Sequence, residues 1–436
     1  MTPLDIAALV AVPAALCGVM AAISALGWEA ELKRKATHFA MGCATLSFPW
    51  LFSGPLPVVA LAGICGAVLL ASRALPRWRQ TCGTALHGVG RPSLGEFYFV
   101  AAVALVFALS GGDPLRYGIP VAVLTVADAA AALVGTRFGR ARFKSRDGTK
   151  SAEGCVSFAF AAFACAALPL LLWAEAEVAA ALLAALMIAA LATLIEGACT
   201  GGADNLWIPV GVWFLLDRYL DMPAAHMAVR ALILALLVAF VLVARRRAAL
   251  DGGALLGAAL LGYGAWALGG LAFLAPLIAI FLCHLAAMRR FKDAHQTNDV
   301  FSVAALAITC LIWLTARDAT GGSGDDFLAP YLVGAMAQLA LMNRATLAAL
   351  GAWPPPALRA ARAGLNGALG AGLPGIAFAA DPRALLWALP AGWLAAFAAA
   401  WLGHYERPDS AMRFAHRCLL ASALAALAHT ISNSFR

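Results

Sequence analysis

The chain has 436 residues, of which 63% are hydrophobic and only 12% are charged. Soluble domains are about half apolar and about a quarter charged, so this composition excludes a soluble globular protein. The net charge of +8 comes from basic clusters between apolar segments, which is a signal of membrane topology and does not indicate nucleic-acid binding.

Apolar segments approaching the roughly 20 residues of a membrane-spanning helix recur along the chain. We count roughly fourteen to sixteen of them. They are 5–27, 37–52, 55–71, 97–111, 117–135, 154–173, 177–198, 205–220, 226–244, 252–268, 270–288, 300–316, 327–343, 366–380, 384–402 and 415–432. Continuous apolar runs exclude a β-barrel. We therefore predict an all-α polytopic integral membrane protein in two halves, residues 1–245 and 246–436.

The first basic cluster follows the first apolar segment and consists of Lys33, Arg34 and Lys35. The positive-inside rule then places the N-terminus outside and this cluster in the cytosol. Alternating sides from there puts most of the 31 Lys and Arg residues on the cytosolic face. We expect a protein of a bacterial inner membrane whose polar motifs face the cytosol.

His38 lies one helical turn beyond Arg34 and shares a face with it. The three preceding cations suit nucleotide phosphates, although basic residues beside a membrane segment are also expected from topology alone. His38 is a candidate general base or a hydrogen-bonding partner.

Asp128 lies inside an otherwise apolar segment. A charge at that depth costs about 2.5–3.5 kcal/mol and usually marks a functional site. A carboxylate here is a candidate ligand for Mg²⁺. The alternative is a polar residue that packs one helix against another.

A basic, glycine-containing loop leads from this segment to Lys150, Ser151, Glu153 and Gly154, where the next helix is expected to begin. A helix N-terminus with nearby cations favours a bound phosphate, so Lys150, Ser151 and Gly154 are candidates for nucleotide binding. Glu153 is a lesser candidate for the same site. The alternative is an ordinary positive-inside loop.

Glu196 and Asp204 flank a glycine-rich break, and Asn205 follows directly. Irregular backbone near membrane depth is tolerated where it lines a cavity, and two acids there suit a metal ion. The alternative is a loop in which Asp204 caps the next helix. Acids for Mg²⁺ and cations for phosphate together indicate nucleotide-dependent transfer to a lipid alcohol.

These motifs resemble those of the dolichol kinase and phytol kinase family, which is related to the phosphatidate cytidylyltransferases. The elements are E-x-x-RK-x-x-H at Glu31–His38, R-x-S-L-G-x-x-Y-F at Arg91–Phe99, D-x-x-A-x-x-x-G at Asp128–Gly135, K-S-x-E-G at Lys150–Gly154 and E-x₇-D-N at Glu196–Asn205.

The resemblance implies phosphorylation of a polyprenyl-type alcohol such as phytol, geranylgeraniol or farnesol, with CTP as donor and Mg²⁺ as cofactor. Arg91 joins the nucleotide-binding candidates through its motif. A homo-oligomer is left open.

The second half is similar to a membrane family that includes phytyl-phosphate kinases. The similarity lies in the stretches GALLGAALLGYG, DAHQTNDVFSV and GLNGALGAGL. That family has an acidic motif where this chain has Arg344 and Ala349. The resemblance implies that this half has lost its metal-binding carboxylates and serves as a scaffold or lipid-holding domain. The alternative is a bundle of added helices without a specific role.

Two other functions fit parts of the pattern. A transporter has similar helix counts and broken helices, but here the acids cluster toward one membrane face. A CTP-dependent cytidylyltransferase would share the metal and phosphate ligands and would release pyrophosphate instead of CDP. A purely structural membrane protein accounts least well for the charged motifs.

Overall fold

The computed structural model describes residues 1–74, 94–145, 148–248, 250–290, 300–322, 325–348, 355–402 and 421–427. The chain divides into two compact units, Met1–Leu232 and Ile233–Arg436. The division falls within a helix, Ala224–Ala244, ahead of residue 245, where the sequence predicts the end of the first functional half. That functional division stays a prediction.

Helices dominate the first unit, and one β-hairpin interrupts them. The elements are α1 (Pro3–Ala25), α2 (Ala30–Thr45), α3 (Phe48–Leu51), α4 (Pro55–Ala74), α5 (Gly95–Ser110), α6 (Pro114–Ala122), a π-helical turn (Val123–Ala127), α7 (Asp128–Phe138), β1 (Arg142–Ser145), β2 (Gly148–Ser151), α8 (Ala152–Trp173), α9 (Val178–Ala198) and α10 (Asp204–Tyr219). Helix α11 (Ala224–Ala244) leads into the second unit.

The second unit is also helical. It contains α12 (Gly252–Gly269), α13 (Leu271–Arg290), α14 (Val300–Ala319), α15 (Leu328–Ala348), α16 (Pro356–Gly367), a second π-helical turn (Ala368–Gly372), α17 (Leu373–Ala377) and α18 (Ala388–Leu402). Its core forms around α15, whose Tyr331, Leu332 and Met336 are fully buried. Much of the sequence behind the second resemblance, including Asp293–Asp299 and the side chains of Asn343–Leu350, lies outside the described residues.

The fold confirms an all-α polytopic integral membrane protein. Among the described residues, seven helices are long and apolar enough to cross a membrane: Pro3–Ala25, Pro114–Phe138, Ala152–Trp173, Val178–Ala198, Ala224–Ala244, Gly252–Gly269 and Val300–Ala319. Shorter apolar helices accompany them, among them Pro55–Ala71 and Gly95–Ser110. The total of fourteen to sixteen spans stays a prediction.

Two predicted apolar segments have an irregular backbone. Segment 37–52 is divided between α2 and α3, and α2 begins with the charged residues Glu31, Lys33, Arg34 and Lys35. Segment 366–380 combines the end of α16, a π-helical turn and the short helix α17. In both places, the short helix that follows the irregular stretch has a proline in its first turn, Pro49 in α3 and Pro374 in α17.

The β-hairpin lies where the sequence suggested only a basic loop. Strands β1 and β2 pair antiparallel, with Arg142 opposite Ser151 and Phe143 opposite Lys150. An Asp-Gly dipeptide at positions 147 and 148 of the sequence is a signal that could have predicted a hairpin, although Gly148 itself lies in β2, opposite Ser145. Because Lys150 is part of β2, the hairpin determines the direction in which its side chain points.

Helix α2 lies against the π-helical turn that precedes α7, with Gly42 facing Thr125. A Cβ atom on Gly42 would lie 2.1 Å from Thr125 Oγ1, so only glycine permits this approach. Thr125 is fully buried, which leaves its branched side chain little room to move aside. The contact sets the distance between α2 and the start of α7.

Gly42→Ala is therefore expected to destabilise the protein by about 1–3 kcal/mol, the usual cost of overpacking a core. The double variant Gly42→Ala/Thr125→Ala should recover part of the loss, because it removes the two atoms nearest the new methyl group. Thermal unfolding in detergent would measure both effects. Gly63→Ala is the matched control, since a Cβ there meets nothing within 4 Å; equal destabilisation of both single variants would contradict the packing argument.

Candidate active site

Asp128 is the first residue after the π-helical turn, and its side chain is buried within a membrane-spanning helix. π-Helical turns occur frequently at functional sites, because the extra residue shifts the side chains that follow it around the helix axis. Lys35 of α2 places its Nζ atom 2.7 Å from both Asp128 Oδ1 and Oδ2. Both side chains are largely withdrawn from solvent, at 21% and 10% exposure.

His38 lies one turn after Lys35 on the same helix. Its Nε2 atom is 4.0 Å from Asp128 Oδ2 and has no hydrogen-bond partner among the described residues. The edge of its ring meets Phe99, with ring centroids 5.0 Å apart. His38 therefore presents an unsatisfied nitrogen beside a buried carboxylate.

A second buried ion pair joins the hairpin to α9. Lys150 Nζ lies 2.9 Å from Glu196 Oε1, and the same ammonium donates to the Glu196 carbonyl oxygen. Glu196 Oε2 is buried without a partner among the described residues. Burial opposes the charge on Lys150, but the Glu196 and Asp204 carboxylates outweigh it and hold the pKa of Lys150 above its usual value.

A glycine turn brings α10 back beside these pairs. Helix α9 ends at Ala198 and α10 begins at Asp204, which confirms the predicted break. Gly201 and Gly202 have φ angles of +66° and +83°, which side chains disfavour. Asp204 in the first turn of α10 is close enough to interact electrostatically with Lys150, Glu196 and His38.

The two ion pairs form one site. Glu196 also interacts electrostatically with Asp128, which links them. We refer to Lys35, His38, Asp128, Lys150, Glu196 and Asp204 as the charged cluster. Burying charges is costly even when they are paired, and replacing such pairs with apolar residues is often neutral or stabilising. A cluster of this size inside a membrane protein therefore indicates a function rather than a contribution to stability.

The other predicted site residues lie near the cluster in different roles. Ser151 caps α8 by accepting a hydrogen bond from Gly154 N at 3.1 Å, and Gly154 packs closely against Ser151 and α7. Glu153 accepts hydrogen bonds from Ala141 N and closes the base of the hairpin. These contacts give all three residues a structural role, and their binding of a nucleotide stays a prediction.

Of three further candidates, two have hydrogen bonds to other helices, and the third lies outside the described residues. Asn205 is buried and donates from Nδ2 to the Gly95 carbonyl oxygen at 2.9 Å, which ties α10 to α5. Lys33 donates to the Ser24 carbonyl oxygen at 2.8 Å, near the end of α1 and not toward Asp128. Arg91 lies outside the described residues.

Lys33 and Lys35 should therefore differ in their contribution to stability. Lys35→Met leaves Asp128 buried without its ammonium partner and is expected to cost about 3–5 kcal/mol. Lys33→Met removes one hydrogen bond to a carbonyl, a loss of about 1 kcal/mol. Denaturation in mixed micelles would compare the two. Equal losses would contradict the pairing of Lys35 with Asp128.

Sequence reasoning missed three residues that shape the site: Thr37, Gly42 and Thr125. Lys35 and Gly42 are seven residues apart on α2 and face the π-helical turn and α7, while Thr37 and His38 lie between them. Helical periodicity offered a signal for Gly42, because residues seven apart share a face. Nothing in the sequence identified Thr125 as its partner, since the contact depends on tertiary packing.

Comparison with known proteins identifies a relative among the kinases. The chain is similar to the phytol kinase of Synechocystis sp., with 30% identity over 184 residues that cover 42% of this chain and 76% of that protein. No family model matches the chain. No solved structure matches it.

Proposed function

Because the chain belongs to the phytol kinase family, we propose that it transfers the γ-phosphoryl group of CTP to the hydroxyl group of a membrane-soluble isoprenoid alcohol on the cytosolic side. The observation that carries the proposal is the meeting of Lys35, His38 and Asp128 at the π-helical turn, beside the Lys150–Glu196 pair. Phosphoryl transfer depends mainly on positioning and charge neutralisation, which such a cluster supplies.

The lysines of the cluster suit the donor's phosphates. Lys150 stays charged at neutral pH because nearby carboxylates raise its pKa. The side chain of Lys35 extends from α2 to Asp128 at the start of α7, and Arg34 precedes Lys35 on α2. When the nucleotide enters, its phosphate oxygens would compete with Asp128 and Glu196 for these ammonium groups. The carboxylates would then be released for another positive ligand.

The acids of the cluster fit a magnesium ion, although the described residues contain no group of three His, Cys, Asp or Glu side chains arranged to hold one. Mg²⁺ in nucleotide sites usually takes one or two carboxylates, with phosphate oxygens and water completing its ligands. Asp128 and Asp204 would hold it, and Glu196 supplies a buried, unpartnered Oε2. Mg²⁺ would neutralise charge on the transferring phosphoryl group.

His38 suits the role of general base. Its unpartnered Nε2 would accept the proton of the alcohol as the alcohol oxygen bonds to the γ-phosphorus. The bond between the γ-phosphorus and the β–γ bridging oxygen breaks, and CDP leaves with the electron pair. The products are CDP and the alcohol monophosphate, with the proton on His38.

A radiolabel assay tests this proposal. Purified protein in detergent would receive Mg²⁺, CTP labelled at the γ-phosphate, and a panel of farnesol, geranylgeraniol, phytol and longer polyprenols. We expect label in a lipid-extractable monophosphate. CTP labelled at the α-phosphate should leave the lipid unlabelled, whereas α-label in the lipid would establish a cytidylyltransferase instead. Absence of transfer from CTP, ATP, GTP or UTP to every alcohol would overturn the kinase proposal.

A further inference from the structure

A small cavity of about 40 Å³ opens beside the charged cluster, between α1, α2, α4, α5 and α10. Ligand sites in proteins are usually largely apolar, with a few polar groups that set orientation. Met41, Leu69 and Phe99 supply apolar walls here, and Thr37, His38 and Glu96 supply polar atoms. The cavity therefore has the mixed character of a site for an amphipathic molecule.

Two polar atoms of α2 beside the cavity have no hydrogen-bond partner among the described residues. Thr37 is 1% exposed, and its Oγ1 is buried without a hydrogen bond among the described residues. His38 Nε2 is likewise buried without a hydrogen bond among the described residues. A buried polar group without a partner costs about 1–3 kcal/mol, so native proteins rarely retain one unless something else satisfies it. Two such atoms at one cavity indicate a ligand that carries a hydroxyl or a similar small polar group.

Helix α2 connects this cavity to the charged cluster. On this helix, Lys35 pairs with Asp128 in the charged cluster, whereas Arg34 and Thr37 line the cavity. His38 belongs to both sites. A hydroxyl group beside His38 Nε2 would therefore be placed at the cluster. The other end of the ligand would rest against side chains without charge.

Glu96 is held at the cavity by Arg73, whose Nη2 lies 3.0 Å from Glu96 Oε2. The Arg73 guanidinium also stacks over the ring of Phe97, at 4.8 Å from its centroid. This pairing fixes a carboxylate beside the cavity and balances its charge, and the cation Arg34 also lines the cavity. The apolar walls formed by Met41, Leu69 and Phe99 are what suit the cavity to an isoprenoid chain better than to the nucleotide.

We propose that this cavity binds the hydroxyl end and first isoprene unit of the acceptor alcohol, with Thr37 Oγ1 as a hydroxyl-positioning group and with Met41, Leu69 and Phe99 determining specificity for the branched chain. The inference rests on the proposed kinase function and assigns its substrate site. The rest of the alcohol extends into lipid.

Kinetics of full-length variants in lipid nanodiscs test the polar part. Thr37→Val keeps the shape of the side chain and removes the hydroxyl, so the KM for the alcohol should rise by about twofold to tenfold. The KM for CTP should stay unchanged. Thr45→Val is the matched control on the same helix, because Thr45 Oγ1 already donates to the Gly42 carbonyl oxygen. Equal KM values for the alcohol in wild type and Thr37→Val would overturn the assignment of Thr37.

Adjacent leucines test the apolar part. Leu69 lines the cavity and is 8% exposed, whereas Leu70 is 62% exposed on the same helix. Leu69→Trp should fill the cavity and lower kcat/KM for farnesol, geranylgeraniol and phytol by about tenfold or more, and for unbranched hexadecanol by less. Leu70→Trp should match the wild type. Equal kcat/KM values in the two variants would overturn the cavity assignment.

Photolabelling separates failure of this inference from failure of the kinase proposal. A farnesol analogue carrying a diazirine on its first isoprene unit should label wild-type protein at the peptides containing Met41 or Phe99, with or without CTP. Labelling confined to other helices would overturn the inference even if the protein is a kinase. Labelling at these peptides without any phosphoryl transfer would retain the site and refute the kinase.

Discussion

Asp128→Asn is expected to lower turnover of the isoprenoid alcohol by at least about 10²–10³-fold, the usual loss when one group stabilising transition-state charge is removed. The variant keeps the size of the side chain and an oxygen that Lys35 can still contact. It removes the negative charge that lies 2.7 Å from Lys35 Nζ and 4.0 Å from His38 Nε2. Transfer of γ-label from CTP to lipid would measure the loss.

The variant also leaves Lys35 without a counter-charge, so part of any loss of activity could come from instability. The double variant Lys35→Met/Asp128→Asn removes both charges and should recover stability without recovering activity. Asp217→Asn is the matched control, because Asp217 forms an exposed pair with Arg116, at 43% and 38% exposure. Full activity in Asp128→Asn, or equal losses in Asp217→Asn, would remove Asp128 from the mechanism.

The membrane class and the position of Asp128 could be predicted because both depend on local sequence. A charged residue within an apolar run must be buried or paired, whatever the remaining fold. The glycine turn before Asp204 could also be predicted from local sequence, since consecutive glycines favour turns that other residues resist. Composition and spacing were therefore sufficient for these elements.

The pairings within the cluster could not be predicted in this way. Lys33, Arg34 and Lys35 are chemically similar neighbours, and only the rotation of α2 directs Lys35 to Asp128 and Lys33 to the end of α1. That rotation depends on the contact between Gly42 and Thr125, which are far apart in sequence. The π-helical turn before Asp128 adds a further shift that the regular period of a helix does not contain.

The pairing of Lys150 also could not be predicted from the sequence, because it depends on the hairpin. The sequence indicated a cationic loop leading into a helix, and the expected phosphate cradle was the helix N-terminus. In the structure, Ser151 already caps the Gly154 N–H, and strand β2 carries Lys150 to Glu196. Lys150, the residue before the cap, is thus paired with Glu196, while Ser151 itself stabilises the helix start.

Lys150→Met is accordingly expected to weaken use of CTP and to destabilise the protein. Losing a buried cation that we propose contacts the phosphates should raise the KM for CTP and lower kcat, together by about 10²-fold or more in kcat/KM. The free energy of unfolding should fall by about 3–5 kcal/mol, because Glu196 loses its partner. Lys150→Arg keeps the charge and should retain part of both properties.

The double variant Lys150→Met/Glu196→Gln distinguishes the role of Lys150 in binding from its role in folding. It removes the buried pair as a unit, so stability should return while kcat/KM for CTP stays low. Activity that returns together with stability would make Lys150 a structural residue only.

The pH dependence of stability gives an independent check on the Lys150 pair. Because the carboxylates of Glu196 and Asp204 raise the pKa of Lys150 in the folded state, its stabilising effect is fully present below the unfolded pKa of about 10.4. The effect is lost only as the pH rises through the higher folded value. The difference in the free energy of unfolding between the wild type and Lys150→Met/Glu196→Gln should therefore stay constant between about pH 8 and 9.5. A difference that shrinks across this range would show that Lys150 already loses its proton there and would contradict the raised pKa.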